Sequence, residues 1–444
     1  MKLFQNIKEE KIQQAGEFMY RLAERLYPIC RSITGNGVRE TLSILNEFIP
    51  VTITEVPTGT KVLDWEIPDE WNIRDAWVKN ENGQKIIDFK KLNLHALNYS
   101  VPVDKRITLN ELKKHLYTIP EYPDWIPYRT SYYNRQWGFC MAHNRFENLP
   151  DGDYQVKIDA DLKPGSLTYG EVFIPGKTQE EVLFSCHVCH PSLCNDNLSG
   201  IVLATKLASI LKKKELTYSY RFLFIPGTIG SITWLSRNES NLRNIKYGLV
   251  LTLLGDSTPF QYKKSRQENA EIDHIMEYVL SKKEGTKMLD FSPYGYDERQ
   301  FCSPGFNLPV GRLSRTPFEE FPEYHTSADN LDFISPANLS ESLKLLMEIV
   351  TVIEGNKKYI NLQPKGEPQL GKRGLYSPVG GKREQKEFQM ALLWILNLSD
   401  GNHSLLDITL KSGIEFEIIL KGANKLIKNS LLKETKQTPF NRKF

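Results

Sequence analysis

His187, His190 and Asp196 stand close together in SCHVCHPSLCNDNLSGIVLATKLASIL, residues 185–211. An apolar run ends at His187, a polar loop follows, and helical periodicity begins near Leu198. Side chains at the carboxyl end of a buried strand face the crevice in which α/β folds place their sites. An imidazole from His187 or His190 and the Asp196 carboxylate are donors that Zn²⁺ accepts. His187 is the preferred histidine because it closes the strand, whereas His190 precedes Pro191. Cys186 and Cys189 have CxxC spacing, but the chain has no second such pair and Cys186 lies inside the apolar run. A second segment, FPEYHTSADNLDFISPANL (321–339), puts His325 in a polar turn ahead of a helix. Ser327 and Asp329 are near enough in sequence to orient its ring. Loop histidines are often only structural, and neither segment alone decides the matter. Together they make a set of three donors, His187, Asp196 and His325, with a position left for water.

These donors need a scaffold, and the surrounding pattern predicts one. The runs EVLFSCH (181–187), YRFLFIP (220–226) and YGLVLTLLG (247–255) read as buried strands, with helices over 198–214, 267–283 and 337–354. Buried strands alternating with amphipathic helices predict an α/β fold, a mixed sheet with helices on both faces. Ahead of it, Phe18, Leu22, Leu26 and Tyr27 share a helical face, RSITGNG is a loop, and a second helical stretch runs from Val38 to Phe48. Residues 51–160 hold five of the seven tryptophans and read as an inserted small β-rich domain. Within it, WNIRDAWVKN-ENG-QKIIDF predicts a hairpin around Asn82-Gly83. The aromatics of WIPYRTSYYNRQW (125–137) could stack on a sugar, or simply build a small core. The metal domain therefore comprises 1–50 and 161–360. The Gly- and Pro-rich stretch 364–381 reads as a linker, and 382–444 as a small domain with helices over 384–398, 404–412 and 415–428 and a short strand.

Composition narrows the class. The chain has 444 residues, 40% hydrophobic and 25% charged, enough for two or three globular domains. A net charge of +3 does not argue for a polyanion partner. The N-terminus lacks the apolar stretch of a leader peptide, and no run approaches the ~18 apolar residues of a membrane span. Six cysteines in a chain of this size are no disulfide framework and fit reduced thiols in the cytoplasm.

The strand-end His187, Asp196 within NDNLSG and His325 within HTSAD resemble the zinc aminopeptidases with a phosphorylase/hydrolase-like fold. In that family a strand ends in a metal-binding histidine, N-D-N-x-S-G supplies a bridging aspartate, and H-T-x-x-D supplies the last histidine. The resemblance covers roughly 160–355. Over the whole chain the likeness is closer to a bacterial group described as polysaccharide-biosynthesis proteins with an aminopeptidase-like domain. That group also carries an inserted small domain and a C-terminal winged helix. The resemblance implies an aminopeptidase-like fold, a zinc site and a winged-helix domain over 382–444.

Three departures bear on chemistry. The aminopeptidases follow their third core strand with an acidic pair, a general base and a metal ligand; FIPGTIGS (224–231) has Gly227 there. Their next strand ends in an aspartate ligand, whereas LTLLGD has Leu and Thr in that place and Asp256 beyond Gly255. The aspartate two residues after the first histidine is Cys189. One zinc per chain is expected rather than two. The base must come from elsewhere: Glu298 or Asp297 in GYDERQF (295–301), or Glu323, each of which could equally be a solvated carboxylate. A general base must come within about 3 Å of the water it deprotonates, directly or through a second water. Arg299 or Arg312 could hold a substrate carboxylate or phosphate.

The expected function is zinc-dependent hydrolysis of an amide bond, in a peptide or in an amino-acid- or acyl-substituted sugar, linked to surface polysaccharide biosynthesis. The alternatives are a catalytically inactive, metal-containing binding protein and a ligand-sensing regulator. No membrane partner is expected. In the C-terminal domain, Glu415 and Glu417 at the front of the second helix favour protein contact or dimerisation over DNA reading. Nucleic acid stays open only through that domain.

Overall fold

The run EVLFSCH forms the strand Glu181–His187, buried at every position. Cover on both faces explains why the run does not alternate. Parallel neighbours flank it, Ser219–Ile225 on one side and Ile245–Leu251 on the other, and Val310–Ser314 extends the parallel set. The edges are antiparallel. Ser166–Ile174 pairs with Ser219–Ile225 and carries Thr52–Pro57, and Gln261–Lys263 pairs with Val310–Ser314. With Lys287–Leu289 this makes the eight-stranded mixed sheet. His187 and Ile225 are register partners, so the loops after both strands open onto the same edge.

The computed structural model describes residue 4 and residues 8–317, 320–375 and 383–435. Two compact units divide the chain, one of residues 7–346 and one of residues 347–444 with 1–6. Among the described residues no helix is long and apolar enough to cross a membrane.

Helices cover the sheet. Glu9–Leu26 starts with two acids, ends with Arg25 near its C-terminus, and buries Ile12, Ala15, Met19, Leu22 and Leu26 at helical spacing. A side chain is excluded at Gly16, where a Cβ would lie 2.1 Å from Ser340 Oγ and 2.2 Å from the Pro336 carbonyl oxygen. Ser199–Leu211 directly follows the NDNL loop and buries ten of its thirteen residues. Ile229–Asn238 also forms, although its Ile, Thr and Gly content gives it little intrinsic helical preference.

The expected hairpin is present. Glu70–Lys79 and Lys85–Asp88 pair antiparallel, with Gly83 at φ +76° in the turn. With Asp153–Lys163 and Val103–Thr108 they make a separate four-stranded sheet. Thr52–Pro57, assigned by sequence texture to the inserted segment, belongs instead to the large sheet.

In the C-terminal unit, helices Arg383–Leu398, Leu405–Ser412 and Phe416–Lys428 accompany a three-stranded antiparallel sheet. Ser404 and Asp407 cap the second helix reciprocally, and Gly413 at φ +69° ends it. The middle strand of that sheet is Lys358–Asn361, which lies ahead of the stretch read as a linker. Residues 376–382 of that stretch lie outside the described residues.

Candidate metal centre

Asp196 is fully buried between imidazoles. Its Oδ1 lies 2.7 Å from His187 Nε2 and its Oδ2 2.9 Å from His325 Nε2. His190 Nε2 is 3.8 Å from the same Oδ2. The donor atoms of His187, His190 and Asp196 all fall within 4.8 Å of one another. The structure thus brings together all four residues singled out from the sequence, with His190 joining the set rather than competing with His187. Burial alone would raise the Asp196 carboxyl, but the imidazoles outweigh it and hold it well below the usual carboxylate range. Burial drives His190 well below the usual histidine range, leaving the neutral ring that a metal takes.

The loop carrying Asp196 is held from behind. Asp329 Oδ1 accepts from the Cys194 and Asn195 N–H groups at 3.1 and 2.6 Å, and Oδ2 accepts from Asp196 N–H at 2.9 Å. Burial pushes the Asp329 carboxyl up to about 8. Asp329 therefore organises the Asp196 loop and does not orient the His325 ring. Nor does Ser327, whose Oγ accepts from Ile126 N–H at 3.0 Å. Asp256 is engaged too: its Oδ2 accepts from Asn195 Nδ2 at 2.8 Å and from the Thr316 hydroxyl at 3.0 Å.

Rings fix the histidines. Tyr324 stacks flat on His325 with centroids 3.9 Å apart, and Tyr296 stacks on His187 at 5.1 Å. The Tyr296 hydroxyl donates to that of Tyr324 at 3.3 Å. Tyr128, from the tryptophan-rich segment, contacts both His190 and His325 at 5.2 and 5.1 Å. Sequence reasoning noted Tyr128 only among the aromatics of 125–137 and missed Tyr296 and Tyr324, although each adjoins a residue already singled out.

The candidate acids separate sharply. Gly227 leaves the third strand's end without a carboxylate, and its N–H donates to Cys189 Sγ at 3.2 Å. Asp297 comes to that loop from outside. Its Oδ1 accepts from Thr228 N–H at 2.7 Å and from Ser231 Oγ at 2.9 Å. Burial raises its carboxyl, and His187 partly offsets the rise. Glu298, one of the three acids singled out from sequence, is fully buried in an ion pair with Lys263 Nζ at 2.8 Å. Lys263 also donates to the Ser292 and Tyr294 carbonyls at 2.9 and 2.8 Å, clamping the loop that carries Tyr296 and Asp297. The i to i+1 step turns Glu298 into this clamp and away from the imidazoles. Glu323 is half-buried and lines, with Trp125, Ser327, Asn330, Asp332 and Phe333, a cavity of about 440 Å³. Arg312 is buried in the sheet as the register partner of Lys263. Arg299 is half-buried, with its Nε buried and without a hydrogen-bond partner.

Solved zinc aminopeptidases share this fold. The chain superposes on a zinc aminopeptidase from Bacillus subtilis with a TM-score of 0.56 and 14% identity, covering 77% of this chain and 94% of that one. A peptidase M28 precursor from Shewanella amazonensis gives 0.55 and 13%, covering 78% and 95%. At such identities the likeness defines the fold.

Residues 20–356 match the family model described as a domain of unknown function, DUF4910, and residues 357–434 match a winged helix-turn-helix model. The chain belongs to the DUF4910 family and carries a C-terminal winged-helix domain. A Clostridium acetobutylicum protein provisionally named a polysaccharide biosynthesis protein with aminopeptidase-like domain is 54% identical over 422 residues, covering 95% of this chain and 97% of that protein. A crystal structure from the same organism, provisionally described as a peptidase, superposes with a TM-score of 0.91 at 52% identity, covering 96% and 98%.

Proposed function

We propose that the chain is a zinc-dependent hydrolase of amide bonds, acting on a peptide or on an amino-acid- or acyl-substituted sugar in surface polysaccharide biosynthesis. The observation that carries this reading is the placement of Asp196, with one oxygen on His187 and the other on His325. Three imidazoles and one carboxylate are a donor set that suits zinc, and His187, His190, Asp196 and His325 would hold it. Held by these residues, zinc would supply Lewis-acid polarisation of a carbonyl group and a water of pKa lowered toward ~7.

The chain's own residues supply the rest. Asp329 holds the backbone that presents Asp196. Tyr296 and Tyr324 hold two of the rings against rotation. Asp297 moves the proton: Thr228 and Ser231 occupy its Oδ1, which leaves Oδ2 to accept it. The name of the Clostridium relative supports the link to polysaccharide biosynthesis. The six free cysteines support a cytoplasmic setting.

Purified protein of known zinc content, assayed against aminoacyl amides, dipeptides and N-acyl amino sugars, should release free amine, and a chelator should stop it. Asp297→Asn should retain zinc and lose about 10²-fold or more in kcat, the scale of general acid–base catalysis. A second reading, a catalytically silent binding protein that keeps its metal, is favoured by Gly227 and by Leu253 at the ends of the two strands. Zinc-loaded protein that binds one of these compounds without turnover selects it. A regulator, suggested by the winged helix, is selected by operator-specific DNA binding.

A further inference from the structure

Arg31 is 0% exposed, and among the described residues no carboxylate forms an ion pair or hydrogen bond with it. A buried charge is costly unless polar groups satisfy it. Here carbonyls do so. Nη1 donates to the Leu26 carbonyl at 2.7 Å, which also accepts from Ile29 N–H at 3.2 Å, and to the Thr41 hydroxyl at 3.5 Å; at the end of helix Glu9–Leu26 a cation is also favoured by the helix dipole. Nε donates to the His190 carbonyl at 2.9 Å. Nη2 is buried with no partner.

The second bond matters because His190 lies on a loop, outside any helix or strand. That loop is tied to the Arg31 loop twice, through the His190 carbonyl and through the Ser192 hydroxyl, which donates to the Tyr27 carbonyl at 2.9 Å. The Arg31 loop is anchored in turn, since Asn98 Nδ2 donates to the Arg31 carbonyl at 3.2 Å and the Ser32 hydroxyl donates to Asn98 Oδ1.

We propose that Arg31 is a positioning residue, which fixes the loop so that His190 serves as the third imidazole of the metal centre. The inference rests on the metal-centre reading above. Charge and position predict opposite signs. A guanidinium without a counter-charge opposes a nearby cation, so if Arg31 acted through charge alone, removing it would tighten zinc binding. If it acts through position, removing it loosens zinc.

The test is zinc affinity of the full chain, by competition with a chromophoric chelator, for wild type, Arg31→Met, Arg31→Lys, His190→Ala and the double variant Arg31→Met/His190→Ala. Thermal melting is followed in parallel. Arg31→Met and His190→Ala should each weaken zinc about 10-fold or more, the range seen when a ligand's support is removed. The double variant should bind no more weakly than His190→Ala. Arg31→Lys, which keeps the charge and loses the fork, should lie between wild type and Arg31→Met, and it serves if the Met variant does not fold. Unchanged or tighter zinc in the Arg31 variants, or additive losses in the double variant, overturns the proposal. Unchanged zinc in His190→Ala overturns it too, while loss of zinc in His187→Ala keeps the metal centre itself. Zinc retained by both His187→Ala and His325→Ala would instead sink the metal-centre reading.

Discussion

Asp196 faces His187 through one oxygen and His325 through the other. Asp196→Ala and His325→Ala should therefore each lose zinc while the cooperative unfolding transition persists, because these groups lie on loops at the edge of the sheet. Elemental analysis of protein purified without added metal should give near one zinc for wild type and near none for the variants. Two equivalents surviving dialysis would show that Gly227 and Leu253 had been wrongly read as vacated ligand positions. Glu298 calls for the reverse outcome. Glu298→Gln leaves Lys263 buried without its counter-charge, which should cost about 3 kcal/mol in urea unfolding with zinc content unchanged. A loss of zinc with unchanged stability would put Glu298 back among the functional acids. The clustering of His187, Asp196 and His325 was legible because few residue types bind zinc and these fell at strand ends and polar turns. The choice between Asp297 and Glu298 was not, since adjacent residues diverge by the geometry of a four-residue helix. Arg31 was equally hidden in RSITGNG, where nothing local marks a buried guanidinium.

A helix and two different sheets meet at Arg39, which projects from helix Asn36–Asn46 onto Glu70 at 2.6 Å and Glu55 at 2.9 Å. Glu55 lies in the large sheet and Glu70 starts the hairpin of the small one, so the triad joins three elements. The Arg39 hydrogen bond is the main reason that the Glu70 carboxyl is lowered to about 2, against burial and with help from Ser166 N–H and Asn72. A depressed carboxyl stabilises the fold above its unfolded pKa, and that contribution is lost as pH falls through the folded value. For Glu70 it should be complete above pH 4.5 and shrink toward pH 2. Urea unfolding of wild type and Glu70→Gln should differ most near neutrality and converge as pH approaches 2; a gap that is constant with pH would mean that packing, and not charge, sets it. Sequence revealed the central strands because double-sided burial makes long apolar runs. It misassigned Thr52–Pro57, an edge strand with only one buried residue, whose partner Ser166–Ile174 is more than a hundred residues away. No local pattern carries that pairing.

At the scale of the whole chain, the C-terminal domain decides whether the protein is also a DNA reader. Its boundary lies earlier than the Gly- and Pro-rich stretch suggests, because Lys358–Asn361 pairs with both Asp400–Ser404 and Leu432–Glu434. Any truncation meant to spare the first unit must therefore fall ahead of Lys358. The helix in the recognition position, Phe416–Lys428, buries Phe416, Ile419, Ala423 and Leu426. It exposes Glu417, Lys421, Lys425 and Lys428, with the exposed Glu415 as its N-cap. Glu415 and Glu417 suit the positive end of the helix dipole. They also occupy the end that a winged helix inserts first into the major groove, where they would face phosphates and base acceptors. The three lysines lie further along and can supply phosphate contacts that carry no sequence information. In an anisotropy titration of the full chain against genomic fragments, binding should be weak, indifferent to sequence, and lost on raising salt from 50 to 200 mM, about the range over which counterion release dominates. Glu417→Lys should strengthen that binding without creating a preferred site. Binding to one defined fragment that survives excess competitor DNA at physiological salt would overturn this expectation, and would make the metal-bearing unit the sensor of a transcriptional regulator.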